Sequence, residues 1–129
     1  MRIRTHTFWK VSVIVWEVEG TEEFVAWFEA LDREDKVRVE ATVEHLERLG
    51  PGLGRPWADS LRGTRIKELI PRGGQLRILF RFDPRSVAIL LVGGDKARRW
   101  ARWYEEMIPV AEDLYRGHLD ELREEGLIR

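Results

Sequence analysis

The residues best suited to chemistry in this 129-residue sequence lie between Arg62 and Arg102, and most of them are basic. In the stretch Gln75–Phe82, strand alternation puts Ile78, Phe80 and Phe82 on one face and Arg77, Leu79 and Arg81 on the other. The first face reads as core. On the second, two guanidiniums about 7 Å apart point outward from the middle of a sheet. Arg65 and Lys67 on the preceding strand could join them, as could Lys96 at the end of the following one. A face of this kind could hold RNA phosphates through charge and bidentate guanidinium contacts, with Arg98 and Arg99 extending it.

Cleavage of RNA by its own 2′-hydroxyl needs no metal. It needs a base near that hydroxyl, cations for the charge developing on phosphorus, and help for the departing 5′-oxygen. Arg77 suits the charge, Lys67 or Glu68 could take the proton, and Lys96 could stabilise or protonate the leaving oxygen. Glu68 could equally be half of a structural salt bridge. Trp100, Trp103 or Tyr104 could stack on a base. A continuous apolar stripe on a helix usually packs in the core, which places Trp100 there and leaves Trp103 and Tyr104 open between core and stacking.

The charge is unevenly spread. Net charge is −1, yet Arg62–Arg102 carries eleven Lys/Arg against Glu68, Asp83 and Asp95, while the remainder holds 11 basic and 20 acidic residues. Segregation of this kind is the footprint of a polyanion site on an acidic body; its bland alternative is a solvated charged face. Other chemistries find little support. There is no cysteine, hence no disulfide framework, thiolate metal site or cysteine nucleophile, and a reducing cytoplasm is the expected compartment. His6, His45 and His118 are scattered, so no metal cluster and no cofactor is expected. Gly93-Gly94-Asp95-Lys96 is not a P-loop, and Ser12, Ser60 and Ser86 lack a nucleophile motif. The apolar run Val11–Val18 is too short to span a bilayer and lacks a following cleavage site, so no membrane association is expected.

The elements that must position these residues follow from pattern. Residues 1–10 read as a lead-in with little structure. Val11–Glu19 reads as a strand, apolar on both faces and therefore inside a sheet. Thr21-Glu22-Glu23 opens a helix with Phe24, Trp27, Phe28 and Leu31 on one face, and Asp32 starts another that Gly50-Pro51-Gly52 stops. Leu53–Gly63 reads as a loop. Thr64–Ile70, Gln75–Phe82 and Val87–Val92 follow as a meander closed by Pro71-Arg72-Gly73-Gly74 and Asp83-Pro84-Arg85-Ser86. A long helix bearing Trp103 and Tyr104 ends the chain; Pro109 should kink or break it, and residues 116–129 read as a solvated helical tail. The fold class is α+β in one domain over 1–129: N-terminal strand, helical hairpin, three-stranded antiparallel meander, C-terminal helix.

The ordered set Ser60-Leu61-Arg62-Gly63, Ile66-Lys67-Glu68-Leu69, Leu76-Arg77-Ile78-Leu79-Phe80 and Leu91-Val92-Gly93-Gly94-Asp95-Lys96, then a helix with Trp103-Tyr104, resembles the RelE superfamily of toxins, in particular its phage-derived HigB-like branch. The resemblance spans roughly residues 11–115. It implies a four-stranded sheet under a helical hairpin, metal-independent cleavage of mRNA on the ribosome, and neutralisation by a helix-turn-helix antitoxin. It places Glu68, Arg77 and Lys96 at the family's functional positions, with Lys67 and Tyr104 matching more loosely. One departure is Ile70, where the branch often carries an arginine after the Glu-Leu pair; Arg72 or Arg65 could substitute. The other reading is a non-catalytic module that kept the fold and binds nucleic acid or protein.

Overall fold

The computed structural model describes the backbone of residues 4–8, 11–97 and 100–129. Strands β1 (Arg4–Phe8) and β2 (Val11–Val15) form an antiparallel hairpin of their own. The expected lead-in is thus partly a strand. The expected strand 11–19 divides at Trp16-Glu17, and its second part, β3 (Val18–Gly20), enters the main sheet. The division has a local cause. The Trp16 amide donates to the Glu47 carbonyl at 2.6 Å, and its indole lies so close to Gly50 that a Cβ there would overlap the ring.

Helices α1 (Glu22–Glu29) and α2 (Arg33–Leu49) are capped by Thr21 and Asp32, whose side chains accept from the amides of Phe24 and Asp35. The main sheet has five strands in the order β3-β7-β6-β5-β4, with β4 Ala58–Ser60, β5 Lys67–Leu69, β6 Leu76–Phe82 and β7 Ala88–Asp95. Pairing is antiparallel except for β3 against β7. The meander is as expected, within an α+β fold. Two details differ: β4 occupies what reads as loop, and β3 lies at the sheet edge. Val18 is nonetheless fully buried, because both faces of the sheet are covered.

Those covers make two cores. On one side Phe24, Val39, Val43 and Leu46 of the helical hairpin meet Leu69, Ile78, Phe80 and Leu90. On the other, α3 (Trp100–Glu124) lays Trp103, Ala111 and Tyr115 on Leu79, Ile89, Leu91 and Val92. The face of β6 expected to be an open basic surface is therefore a second core. Helix α3 runs through Pro109 unbroken; Glu105, whose carbonyl loses its partner there, is exposed to solvent. Nor is the last part of α3 wholly solvated, since Leu122 is buried.

A bulge in β7 sets which residues share the α3 side. Leu79 pairs with Val92 but Phe80 pairs with Leu90, so Leu91 is the extra residue. Its carbonyl accepts from the Thr21 hydroxyl at 2.6 Å, which ties the start of α1 to the bulge. Beyond it the alternation has shifted by one. Gly93 now faces Trp27 of α1 and Gly94 faces Trp103 of α3, each with no room for a Cβ.

At the far end of the sheet, Asp83 is buried and accepts from the amides of Arg85 and Val87, from the Arg85 guanidinium, and from His118 Nε2 at 2.9 Å. Arg85 also reaches Glu19 at 2.9 Å, so β3, the β6–β7 turn and α3 are joined. Burial alone would push the Asp83 carboxyl up, but the hydrogen bonds from His118, Arg85 and the amides outweigh it and hold it below the usual carboxylate range.

Three outcomes are expected. Gly94→Ala should destabilise the fold by about 2–3 kcal/mol in urea denaturation, because the Trp103 indole must move. Gly54→Ala, with open space around it, should stay within about 0.5 kcal/mol of the parent. Asp83→Asn should cost about 3 kcal/mol near neutral pH. Because the folded carboxyl titrates below a free aspartate, that contribution is complete above about pH 4 and fades as pH falls further. Denaturation of parent and variant at neutral and acid pH should show their difference shrinking; a difference independent of pH would exclude the carboxylate charge as its source.

Candidate functional site

The α3 face of the sheet gathers four of the residues singled out by sequence. Glu68 lies opposite Leu79 in the β5–β6 register and so shares the face of Arg77. Arg77 lies opposite Gly94 on β7, and Lys96 follows Gly94 by two residues, on the same side. Tyr104 reaches in from the first turns of α3.

The geometry is tight. The Tyr104 hydroxyl donates to Glu68 Oε1 at 3.0 Å, and Arg77 Nε stands 3.2 Å from the same oxygen. The Glu68 and Arg77 side chains are only 10% and 13% exposed. Arg77 Nη1 donates to the Leu76 carbonyl at 2.7 Å. Its buried Nε–H, although within ion-pair distance of Glu68, is not aimed well enough to make a hydrogen bond. The Lys96 ammonium stands 6.0 Å from the centre of the Tyr104 ring, and its backbone amide donates to Gln75.

Neighbouring charges tune these groups. Burial, then the charge of Arg77, lowers the Lys96 ammonium below its ordinary value, with Glu68 opposing. Burial, then the charge and hydrogen bond of Glu68, pushes the Tyr104 phenol up to about 12. The cluster therefore offers one carboxylate, one guanidinium beside it, one ammonium that gives up its proton more readily than a free lysine and one phenol that keeps its own.

Other candidates lie elsewhere. Lys67 pairs with Phe80 on the hairpin side, its ammonium 5.8 Å from the centre of the Phe82 ring, because alternation sends it away from its neighbour Glu68. Arg81 is on the α3 side but stacks 4.2 Å from the centre of the Tyr115 ring, a structural cation–π contact. Trp103 is 9% exposed and seated on Gly94, so it has no free face for a base. Arg65 is exposed just before β5. Arg98 and Arg99 lie outside the described residues. Gly94 escaped sequence reading as a site residue, although a glycine paired with Arg77 and followed by a helical tryptophan is the signal of an aromatic packed on the strand.

Among the described residues, no group of three or more His, Asp or Glu side chains could hold a metal ion. No helix among them is long and apolar enough to cross a membrane.

Comparison with known proteins agrees with this architecture. Residues 26–116 match the family described as Phage derived protein Gp49-like (DUF891). The chain is 45% identical over 104 residues to the "Putative toxin HigB2" of Mycobacterium tuberculosis, covering 76% of this chain and 52% of that protein. It thus spans about half the length of that relative. To the "Putative toxin HigB3" of the same organism it is 48% identical over 89 residues, covering 67% of this chain and 78% of the relative. The crystal structure of the archaeal RelE-RelB complex from Pyrococcus horikoshii OT3 contains a chain with the same fold, at a TM-score of 0.54 and 17% identity, covering 64% of this chain and 97% of that one. The chain belongs to the phage-derived Gp49-like family, alongside relatives described as HigB toxins.

Proposed function

We propose that this chain is the toxin of a type II toxin–antitoxin system: a cytoplasmic, metal-independent endoribonuclease that cuts mRNA on the ribosome and is neutralised by a helix-turn-helix antitoxin. The observation that carries the reading is the Glu68–Arg77–Lys96–Tyr104 cluster, in which the Tyr104 hydroxyl and the Arg77 guanidinium meet one oxygen of Glu68 and the Lys96 ammonium stands over the Tyr104 ring. The Arg77 Nε is covered and faces Glu68, so a phosphate oxygen would meet this guanidinium through its terminal nitrogens.

In the proposed reaction Glu68 takes the proton of the 2′-hydroxyl while its oxygen attacks phosphorus. Arg77 stabilises the charge gathering on the phosphoryl oxygens. The bond from phosphorus to the 5′-oxygen breaks, and Lys96, already inclined to release its proton, gives it to that oxygen. A 2′,3′-cyclic phosphate and a 5′-hydroxyl result. Tyr104 positions the Glu68 carboxylate through their hydrogen bond. Arg65, with Arg98 and Arg99, binds neighbouring phosphates; Lys67, Arg81 and Trp103 take no part, for the geometric reasons above.

One observation favours a second reading, a non-catalytic binding module of the same fold. Arg77 and Glu68 are almost covered and stand against each other, as a structural ion pair would. Arg77→Ala would leave a buried carboxylate unpaired and could unfold the chain, so Lys96 is the better probe.

Induced expression in bacteria should arrest growth and create new mRNA 5′ ends inside coding regions. Lys96→Met, folded by circular dichroism, should lower cleavage by roughly 100-fold or more. Wild-type cleavage by that folded variant would overturn the assignment of Lys96. Normal growth with intact transcripts from soluble parent protein would favour the binding module.

A further inference from the structure

The side of the molecule away from the candidate site carries a groove of about 190 Å³ between α1 and α2. Phe24, Phe28, Val39 and Val43 make its apolar floor. Glu40, Glu44 and Glu47 line one wall, at the i, i+4, i+7 spacing that puts them in a row along α2. None of the three has an ion-pair partner among the described residues, whereas the first-turn acids Glu34 and Asp35 are both held by Arg38.

Size, shape and charge select the occupant. Pockets that enclose small molecules measure roughly 300–1,000 Å³, so this groove suits one or two large side chains rather than a metabolite. A row of glutamates repels phosphate, which excludes RNA. A groove between two helices is the seat of an amphipathic helix whose anchors repeat at i, i+3 or i+4. Its complement carries Lys or Arg beside those anchors, because buried apolar anchors supply affinity and rim charges supply orientation and encounter rate.

We infer that the groove between α1 and α2 is the docking site for a basic amphipathic helix of the antitoxin, on the side of the sheet opposite Glu68 and Arg77. The identity of that partner rests on the toxin reading above; the groove and its charge row do not. A larger cleft of about 530 Å³ between the start of α1 and the end of α3 is also acidic. There Glu19 is committed to Arg85 and Asp113 to Arg116, while Glu22, Glu23, Glu121 and Glu125 have no ion-pair partner among the described residues. Its acids thus match those of the groove in charge without the floor between two helices. It serves as the control.

The test uses the full chain and the helix-turn-helix protein encoded in the adjoining reading frame, with binding measured by calorimetry at low and high salt. The double variant Glu40→Lys/Glu44→Lys should bind roughly tenfold or more weakly and lose most of the salt dependence, with an unchanged circular dichroism spectrum. In cells it should still arrest growth, and the antitoxin should no longer relieve the arrest. The control Glu121→Lys/Glu125→Lys, an equal change of charge, should bind and be relieved like the parent. Parent-like binding by the Glu40/Glu44 variant, an equal loss in the control, or no binding by the parent would each overturn the docking site. If the parent fails to arrest growth while the Glu40/Glu44 variant alone loses binding, the docking site stands and the toxin reading falls.

Discussion

Two tryptophans packed on opposite faces of one dipeptide hold the layers of this protein together. Gly93 and Gly94 are consecutive in β7, so one faces the helical hairpin and the other faces α3. Trp27 fills the space above the first and Trp103 the space above the second. Seating Trp103 also orients the residue after it: Tyr104, its ring 5.0 Å from the Trp103 centroid and nearly perpendicular to it, is delivered to Glu68. The candidate site thus depends on an absence of side chains one strand away.

That arrangement in turn requires the bulge. Without the extra residue at Leu91, alternation counted from Ala88 would send Gly94 and Lys96 to the hairpin side, away from Arg77. The bulge corrects the phase, and the Thr21 hydroxyl satisfies the carbonyl it would otherwise strand. Placement by the backbone matters here because the site is not a source of stability. Removing a carboxylate and a guanidinium from water costs several kcal/mol, and a misaligned 3.2 Å contact returns only part of it. The Asp83 cluster, where every contact is aligned, does the structural task at the other end of the sheet.

Much of this was legible in the sequence, for identifiable reasons. Caps and breakers mark the helical hairpin, turn residues mark the meander, and period-2 alternation separates Ile78 and Phe80 from Arg77. The ordered resemblance led to Glu68, Arg77, Lys96 and Tyr104, which the fold brings together. Faces were harder. A bulge has no signature in a run such as Ala88–Val92, and an apolar stripe on α3 does not announce which sheet face it covers. Hence a face of arginines looked open when a helix lies on it, and Lys67 looked like a neighbour of Arg77 when it points the other way. The strands β1 and β4 were missed because each is short and polar, and finds its partner only through tertiary pairing.

The segregation of charge takes on a plainer meaning in three dimensions. Part of the basic segment is structural: Arg85 and Arg81 hold the sheet end and α3. What remains near Glu68 is a small group: one carboxylate, one ammonium, one guanidinium and one phenol. The most direct test of that group is the chemistry of the ends it makes. Purified chain should be incubated with ribosomes translating a defined mRNA, with chelator included at a concentration that leaves the ribosomes intact and removes trace transition metals. Cleavage should be undiminished by chelation, with a 2′,3′-cyclic phosphate on the upstream fragment and a 5′-hydroxyl on the downstream one. Products bearing 5′-phosphates, or cleavage abolished by the chelator, would contradict it.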